Sequence, residues 1–141
     1  MQLKFVDTNI WLYRLFDDQR IDSQEMEKKR KVAISVTQGE NLIISTQVIN
    51  ELSVNLIKKA KFNESQIKSL IQSLYHRCQV VEFDLSILAS ASDLRGQYKV
   101  SFWDSLIVAS ALAINANILY SEDMQDGLII SKQLSIINPF K

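Results

Sequence analysis

The sequence predicts an α/β fold with a central, mostly parallel sheet. Three observations lead there. Short apolar runs at Leu3–Val6, Leu42–Ile44, Val80–Phe83 and Ile118–Tyr120 are compact and mostly rich in Val and Ile. They alternate weakly, as strands covered on both faces do. Between them lie stretches with helical periodicity, and strands alternating with helices imply parallel crossovers. A fifth short run, Ser135–Ile137, is stopped by Pro139. The expected sheet therefore has four to five strands.

Helices are expected over about 8–16, 24–38, 46–60, 64–77, 85–97 and 102–115. In the third, Val48, Ile49, Leu52 and Leu56 recur at three- to four-residue spacing and form a stripe that must be buried. Glu51 lies about 100° from Leu52 on an ideal wheel, at the edge of that stripe. In the last helix the run Leu106–Leu112 is apolar nearly all round, which predicts a central, covered position, with Asp104 in its first turn. In the first, Ile10, Trp11, Leu12, Leu15 and Phe16 offer more apolar surface than one helix face needs, and serve either a groove for a partner's amphipathic segment or the core and a homodimer contact.

Composition narrows the class. The chain has 141 residues, 47% of them apolar, and only 3 Gly and 1 Pro, which suits one globular domain over 1–141 rather than a linker or a many-turned all-β fold. No apolar run reaches the ~18 residues needed to cross a membrane, and the N-terminus lacks a secretory pattern. The single cysteine, Cys78, has no intramolecular partner, so a reducing cytoplasm is the expected compartment. Net charge is zero, but residues 1–79 carry 12 Lys+Arg against 9 Asp+Glu, and residues 80–141 carry 4 against 7. Basic clusters at Lys28–Lys31 and Lys58–Lys61 are either solvated helix faces or a phosphate-contacting rim.

Four acids stand out. Asp7 ends the first strand, Glu51 is on the helix after the second, Asp104 opens the apolar helix, and Asp123 follows the fourth strand by three residues. Open parallel sheets bind ligands outside the carboxyl ends of their strands. Each acid alone has an ordinary structural use: Asp7 as a helix cap, Glu51 on a solvated face, Asp104 in a capping turn, Asp123 in a loop. Four of them at one sheet edge repel, roughly 3 kcal/mol for a pair ~5 Å apart at an effective dielectric of ~20. They would take up protons or hold a cation, and hard oxygen donors select Mg²⁺ or Mn²⁺. Zinc fits poorly with one His and one Cys; His76 and Cys78 are read as structural.

The pieces Phe5–Asn9, Ser45–Leu52, Phe102–Ala111 and Ile118–Met124 resemble the PIN-domain family, and within it the VapC-type toxins of toxin–antitoxin pairs. Order and spacing agree over essentially the whole chain. The resemblance implies a three-layer sandwich with a parallel sheet flanked by helices. It also implies Mg²⁺- or Mn²⁺-dependent cleavage of RNA phosphodiester bonds, a cognate antitoxin and a homodimer. Asp7, Glu51 and Asp104 match the principal acids and Asp123 the fourth, with Glu122 and Asp126 close by as substitutes. Thr8, Asn9 and Ser121 match polar positions that support the acids. The implied mechanism is in-line attack of a metal-activated water on phosphate.

Two other readings are weaker. A haloacid-dehalogenase-like phosphatase also ends its first strand with Asp, but needs a second Asp two residues on, where this chain has Asn9, which cannot serve as a general acid. A phosphate-binding loop is missing, since Gly39, Gly96 and Gly127 are isolated. A non-catalytic RNA- or protein-binding module on the same fold is the alternative from another class.

Overall fold

The computed structural model describes residues 2–141. Along the chain run β1 (Lys4–Val6), α1 (Thr8–Leu15), α2 (Ser23–Thr37), β2 (Leu42–Ser45), α3 (Thr46–Ala60) and α4 (Glu64–Arg77). Then come β3 (Gln79–Val81), α5 (Leu85–Gln97), α6 (Phe102–Ala113), β4 (Ile118–Tyr120), β5 (Ile129–Ile130) and β6 (Leu134–Ile137). The strands form one sheet in the order β3-β2-β1-β4-β6-β5. All neighbours pair in parallel except β5 with β6.

The order explains the layers. The chain steps from β1 outward to β2 and β3, then returns past them to β4 on the other side of β1. Right-handed crossovers put the helices of the outward and returning paths on opposite faces. Consistent with this, α1 packs with α2 and α3, and α3 with α4, whereas α5 pairs with α6. Central strands are therefore covered twice. Phe5, Val6, Ile43, Ile44 and Leu119 have no exposed surface, which is why their runs showed no alternation. Helix α6 is buried from Ser105 through Ala111, as its apolar circumference requires.

Short polar residues turn strands into helices. Asp7 caps α1 by accepting the Thr8 N–H, Ser45 caps α3 through Val48 N–H, and Ser101 caps α6 through Asp104 N–H. The first two leave no loop between strand and helix. The side chains just past β1 and β2 therefore have little freedom in where they start.

Five strands are the expected ones; β5 was not foreseen. It reaches β6 through Ser131 and Lys132, both left-handed (φ 54 and 56), with the Gln133 N–H donating to Ile130 O. Consecutive positive φ values are usually signalled by Asn-Gly, and Ser-Lys sends no such signal. Of the two uses open to the apolar residues of α1, the core takes them. Ile10, Trp11 and Leu12 are buried, and Leu15 and Phe16 pack half-buried against the core. Helix α1 is consumed by the core because it is covered by both α2 and α3. No helix among the described residues is long and apolar enough to cross a membrane.

Candidate functional site

Strand order reverses between β1 and β4, and the crevice at such a switch point opens at the strands' carboxyl ends. The two strands are locked in register there, with the Asp7 N–H donating to Tyr120 O at 3.0 Å. Asp7 and the loop after Tyr120 thus start from one point.

The Asp7 carboxylate uses both oxygens. Oδ1 accepts the Thr8 N–H (2.8 Å) and Oδ2 accepts the Ser121 hydroxyl (3.0 Å). Ser121 is fully buried. The same short stretch orients two more acids. Thr8 Oγ1 donates to Glu51 Oε1 at 2.9 Å, and Asn9 Nδ2 donates to Asp123 Oδ2 at 2.8 Å. Glu51 and Asp123 are otherwise exposed, and each keeps an oxygen without a protein donor among the described residues. Asp104 is half-buried, and its carboxylate accepts no hydrogen bond among the described residues.

These acids feel one another. Burial pushes the Asp7 carboxyl up to about 6; its two hydrogen bonds oppose the rise, and the charges of Asp104 and Glu51 add to it. Asp123 is also raised, first by desolvation, then by the charges of Glu122 and Asp104. Asp104 is the common neighbour, and it lines one cavity together with Asp123. The carboxylates form an open row rather than a closed shell. Among the described residues, no three His, Cys, Asp or Glu side chains are gathered into a ready-made ion site. In kind, however, the donors suit a hard divalent cation: all are carboxylate oxygens, none of the four is ion-paired, and Asp7 is held against its own charge.

Glu122 and Asp126 stand apart from this row. Glu122 accepts from Lys29 Nζ and from Tyr13 Oη, both at 2.6 Å. Lys29 Nζ also lies over the rings of Tyr13 (4.7 Å) and Phe140 (5.3 Å). Asp126 Oδ1 accepts the Asn138 N–H, and Asn138 Nδ2 donates to Glu122 O. The loop bearing Asp123 is therefore tied down on both sides by side chains that the sequence did not single out: Tyr13, Lys29 and Asn138. Their signal was weak, since they lie far from the loop in sequence and none belongs to a motif.

Three of the four residues at Lys28–Lys31 have acidic partners within the chain, while Lys28 and most of Lys31 stay exposed. Lys29 pairs with Glu122, Arg30 with Asp17, and Lys31 with Glu27. Lys58, Lys59 and Lys61 remain exposed, with Lys59 beside Asn9 and Arg20 at one edge of the site. His76 is exposed at the end of α4, and Cys78 is buried as its cap.

Two outcomes follow from this geometry. Between its ordinary 3.8 and about 6, Asp7 binds more proton in the folded chain than in the unfolded one, so stability falls as pH rises through that window and stays low above it. Asp7→Asn should remove the penalty. In chelator, thermal melts at neutral pH should show the variant more stable than wild type, by up to about 3 kcal/mol, with the gain gone below pH 3.8. Lys29→Met should cost about 2 kcal/mol by leaving Glu122 poorly paired, and should loosen the 121–126 backbone, measured as faster amide hydrogen exchange there.

Comparison with known proteins agrees with this architecture. No curated protein matches the sequence. Among solved structures, a toxin–antitoxin complex from Klebsiella pneumoniae is similar, with a TM-score of 0.67 and 20% identity, over 96% of this chain and 97% of its own. VapC20 of Mycobacterium tuberculosis, a toxin that cleaves the sarcin–ricin loop, gives 0.62 and 15%, over 85% and 89%. VapBC2 from Rickettsia felis, solved on a DNA fragment from its promoter, gives 0.59 and 19%, over 97% and 100%. At these identities the likeness is one of fold. The sequence model of the PIN domain matches residues 4–125, from the first residue of β1 to the loop that carries Asp123, and this chain belongs to the PIN domain family.

Proposed function

We propose that this chain is a metal-dependent endoribonuclease, the toxin of a toxin–antitoxin pair, with Asp7, Glu51, Asp104 and Asp123 as its active-site acids. One observation carries the reading: four unpaired carboxylates from four segments share one electrostatic neighbourhood at the carboxyl edge of the sheet, three of them oriented by Thr8, Asn9 and Ser121. Such an arrangement costs stability and has no structural purpose for the core. Membership of the PIN domain family supports nuclease chemistry, and the solved structures it resembles include toxins and toxin–antitoxin complexes.

In this reading Asp7 and Asp104 are the principal ligands of Mg²⁺ or Mn²⁺. When bound, the ion supplies Lewis acidity for the phosphate and lowers the pKa of the attacking water. Ser121 and the Thr8 N–H hold Asp7 by both oxygens, so its carboxylate plane is set before substrate arrives. Glu51, held by Thr8 Oγ1, would offer its other oxygen to the ion or to the attacking water. Asp123, held by Asn9, would offer its free oxygen to a second ion or a further water. Glu122 is tied up by its ion pair with Lys29 and its bond from Tyr13, while Asp126, held through one oxygen by the Asn138 N–H, is the nearer substitute for Asp123.

The antitoxin would block this site with a cationic side chain. An Arg paired to Asp7 and Asp104 neutralises the row and excludes the ion together. Exposed Val54 and Ile57 on α3 offer apolar footing for the rest of such a partner, replacing the α1 surface that the core consumes. Leu85 and Leu88, one turn apart on α5 and both exposed, suit the proposed homodimer.

Purified protein should cut RNA in Mg²⁺ or Mn²⁺ and not in chelator. Asp7→Asn and Asp104→Asn should fall to background while remaining folded, Asp123→Asn should keep part of its activity, and Asn9→Ala should lose about tenfold. Near wild-type turnover in either of the first two variants would overturn the assignment. For the toxin reading, a short neighbouring reading frame should encode a protein that co-purifies with this chain and suppresses cleavage. A chain that neither slows growth nor cuts cellular RNA on expression is not a toxin.

A further inference from the structure

Beside the row of acids lies a second feature that the hydrolytic chemistry does not use. At the start of α6, immediately before Asp104, Phe102 and Trp103 are 54% and 61% exposed. Large aromatics seldom stand in water without a reason. These two are also braced. Their rings meet edge to face at 5.2 Å and 78°. The Arg95 guanidinium lies 4.4 Å over the Phe102 centroid and is anchored by its own bond to Ser105 Oγ at 2.7 Å. An exposed ring held by a second ring, itself backed by a fixed cation, loses little freedom on binding a ligand.

Trp103 also lines an open cleft of about 450 Å³ with Phe83, Gln47, Asn50 and Glu51. The lining combines two aromatic rings with two carboxamides, and Gln47 Oε1, buried beneath the cleft, has no hydrogen-bond partner among the described residues. Glu51 belongs to both the cleft and the acid row, and Asp104 follows Trp103 directly. An apolar partner helix would find too many amides here. A planar heterocycle with a polar edge matches both parts of the lining, because every base has a π-face for an aromatic ring and donors and acceptors at its rim.

We propose that Trp103 is a stacking platform for one nucleobase of the bound RNA, seated in the cleft with Phe83, Gln47 and Asn50 next to the scissile phosphate. This rests on the reading of Glu51 and Asp104 as active-site acids. Trp103 acts as a positioning residue: it seats the neighbouring nucleotide, so that the backbone crosses the row in one register. The base must be unpaired to enter, and the amides give it a chemical rim to read.

The two tryptophans make the test direct. Trp11 is buried, with its indole N–H bonded to Val6 O, so only Trp103 can meet a ligand. In the Asp7→Asn protein, which should not cut, tryptophan emission is titrated with short oligoadenylate and with an abasic ribose-phosphate strand of equal length. Oligoadenylate should quench emission and the abasic strand should not. Trp103→Ala should abolish the quench and weaken binding about tenfold, while Trp103→Phe should hold affinity within about threefold of the parent. With Asp7 restored, Trp103→Ala should raise KM and leave kcat nearly intact. Equal quenching by the abasic strand, or none by either, overturns the platform. So does a Trp103→Ala protein that changes its sedimentation from dimer to monomer with RNA affinity unchanged, since a second copy would then cover the ring. Quenching by oligoadenylate alone in a protein that never cleaves RNA would sustain the platform and sink the nuclease; normal cleavage with an unchanged KM in Trp103→Ala would do the reverse.

Discussion

The parallel pairing of β1 with β4 is the constraint on which the rest of the site depends. It brings Asp7, at the end of the first strand, against Tyr120 and Ser121, more than a hundred residues later: the Asp7 N–H donates to Tyr120 O, and the Ser121 hydroxyl donates to the Asp7 carboxylate. Because β1 passes into α1 without a loop, Thr8 and Asn9 are placed by the same junction. Thr8 reaches Glu51 on α3, and Asn9 reaches Asp123 beyond β4. One strand end thus orients its own Asp7 and two carboxylates that belong to other segments.

That geometry is obtained against electrostatic resistance. Asp7 is held where burial and two neighbouring carboxylates all favour its neutral form. Strongly shifted groups of this kind cluster at functional sites. The surrounding core supplies the stability that the row withdraws. Helix α6 is buried through seven consecutive residues, and the central strands are sealed on both faces. On the other flank, Lys29, Tyr13 and Glu122 hold the Asp123 loop, which would otherwise be free to swing away from its like-charged neighbours.

The polar ties divide the acids into two kinds. The four in the row keep uncommitted oxygens or, for Asp7, accept donors that fix its direction without neutralising it. Glu122, Asp17 and Glu27 are ion-paired with Lys29, Arg30 and Lys31. Two acids adjacent in sequence, Glu122 and Asp123, therefore differ in their partners: the first has a cation, the second an amide.

Much of this was legible in the sequence. Fully apolar strand runs and the all-round apolar face of α6 report burial directly, because the water-exposed alternative is too costly for them. The six helices lie within a residue or two of their expected ends. The four acids were visible because each follows an element whose type could be read locally. What composition and periodicity did not carry was anything set by contacts between distant segments. The hairpin of β5 turns on left-handed Ser131 and Lys132, whose conformation is stabilised by pairing with β6 rather than by their own preference. The Lys28–Lys31 cluster looks like a cationic surface in one dimension and becomes a set of ion pairs in three. Helix α1 has apolar residues to spare until α2 and α3 cover it from two sides. Local order is written in neighbouring side chains and their hydration. Which of Asp123 and Glu122 is ion-paired is decided by Asn9, Tyr13 and Lys29, which only the folded chain brings to the same place.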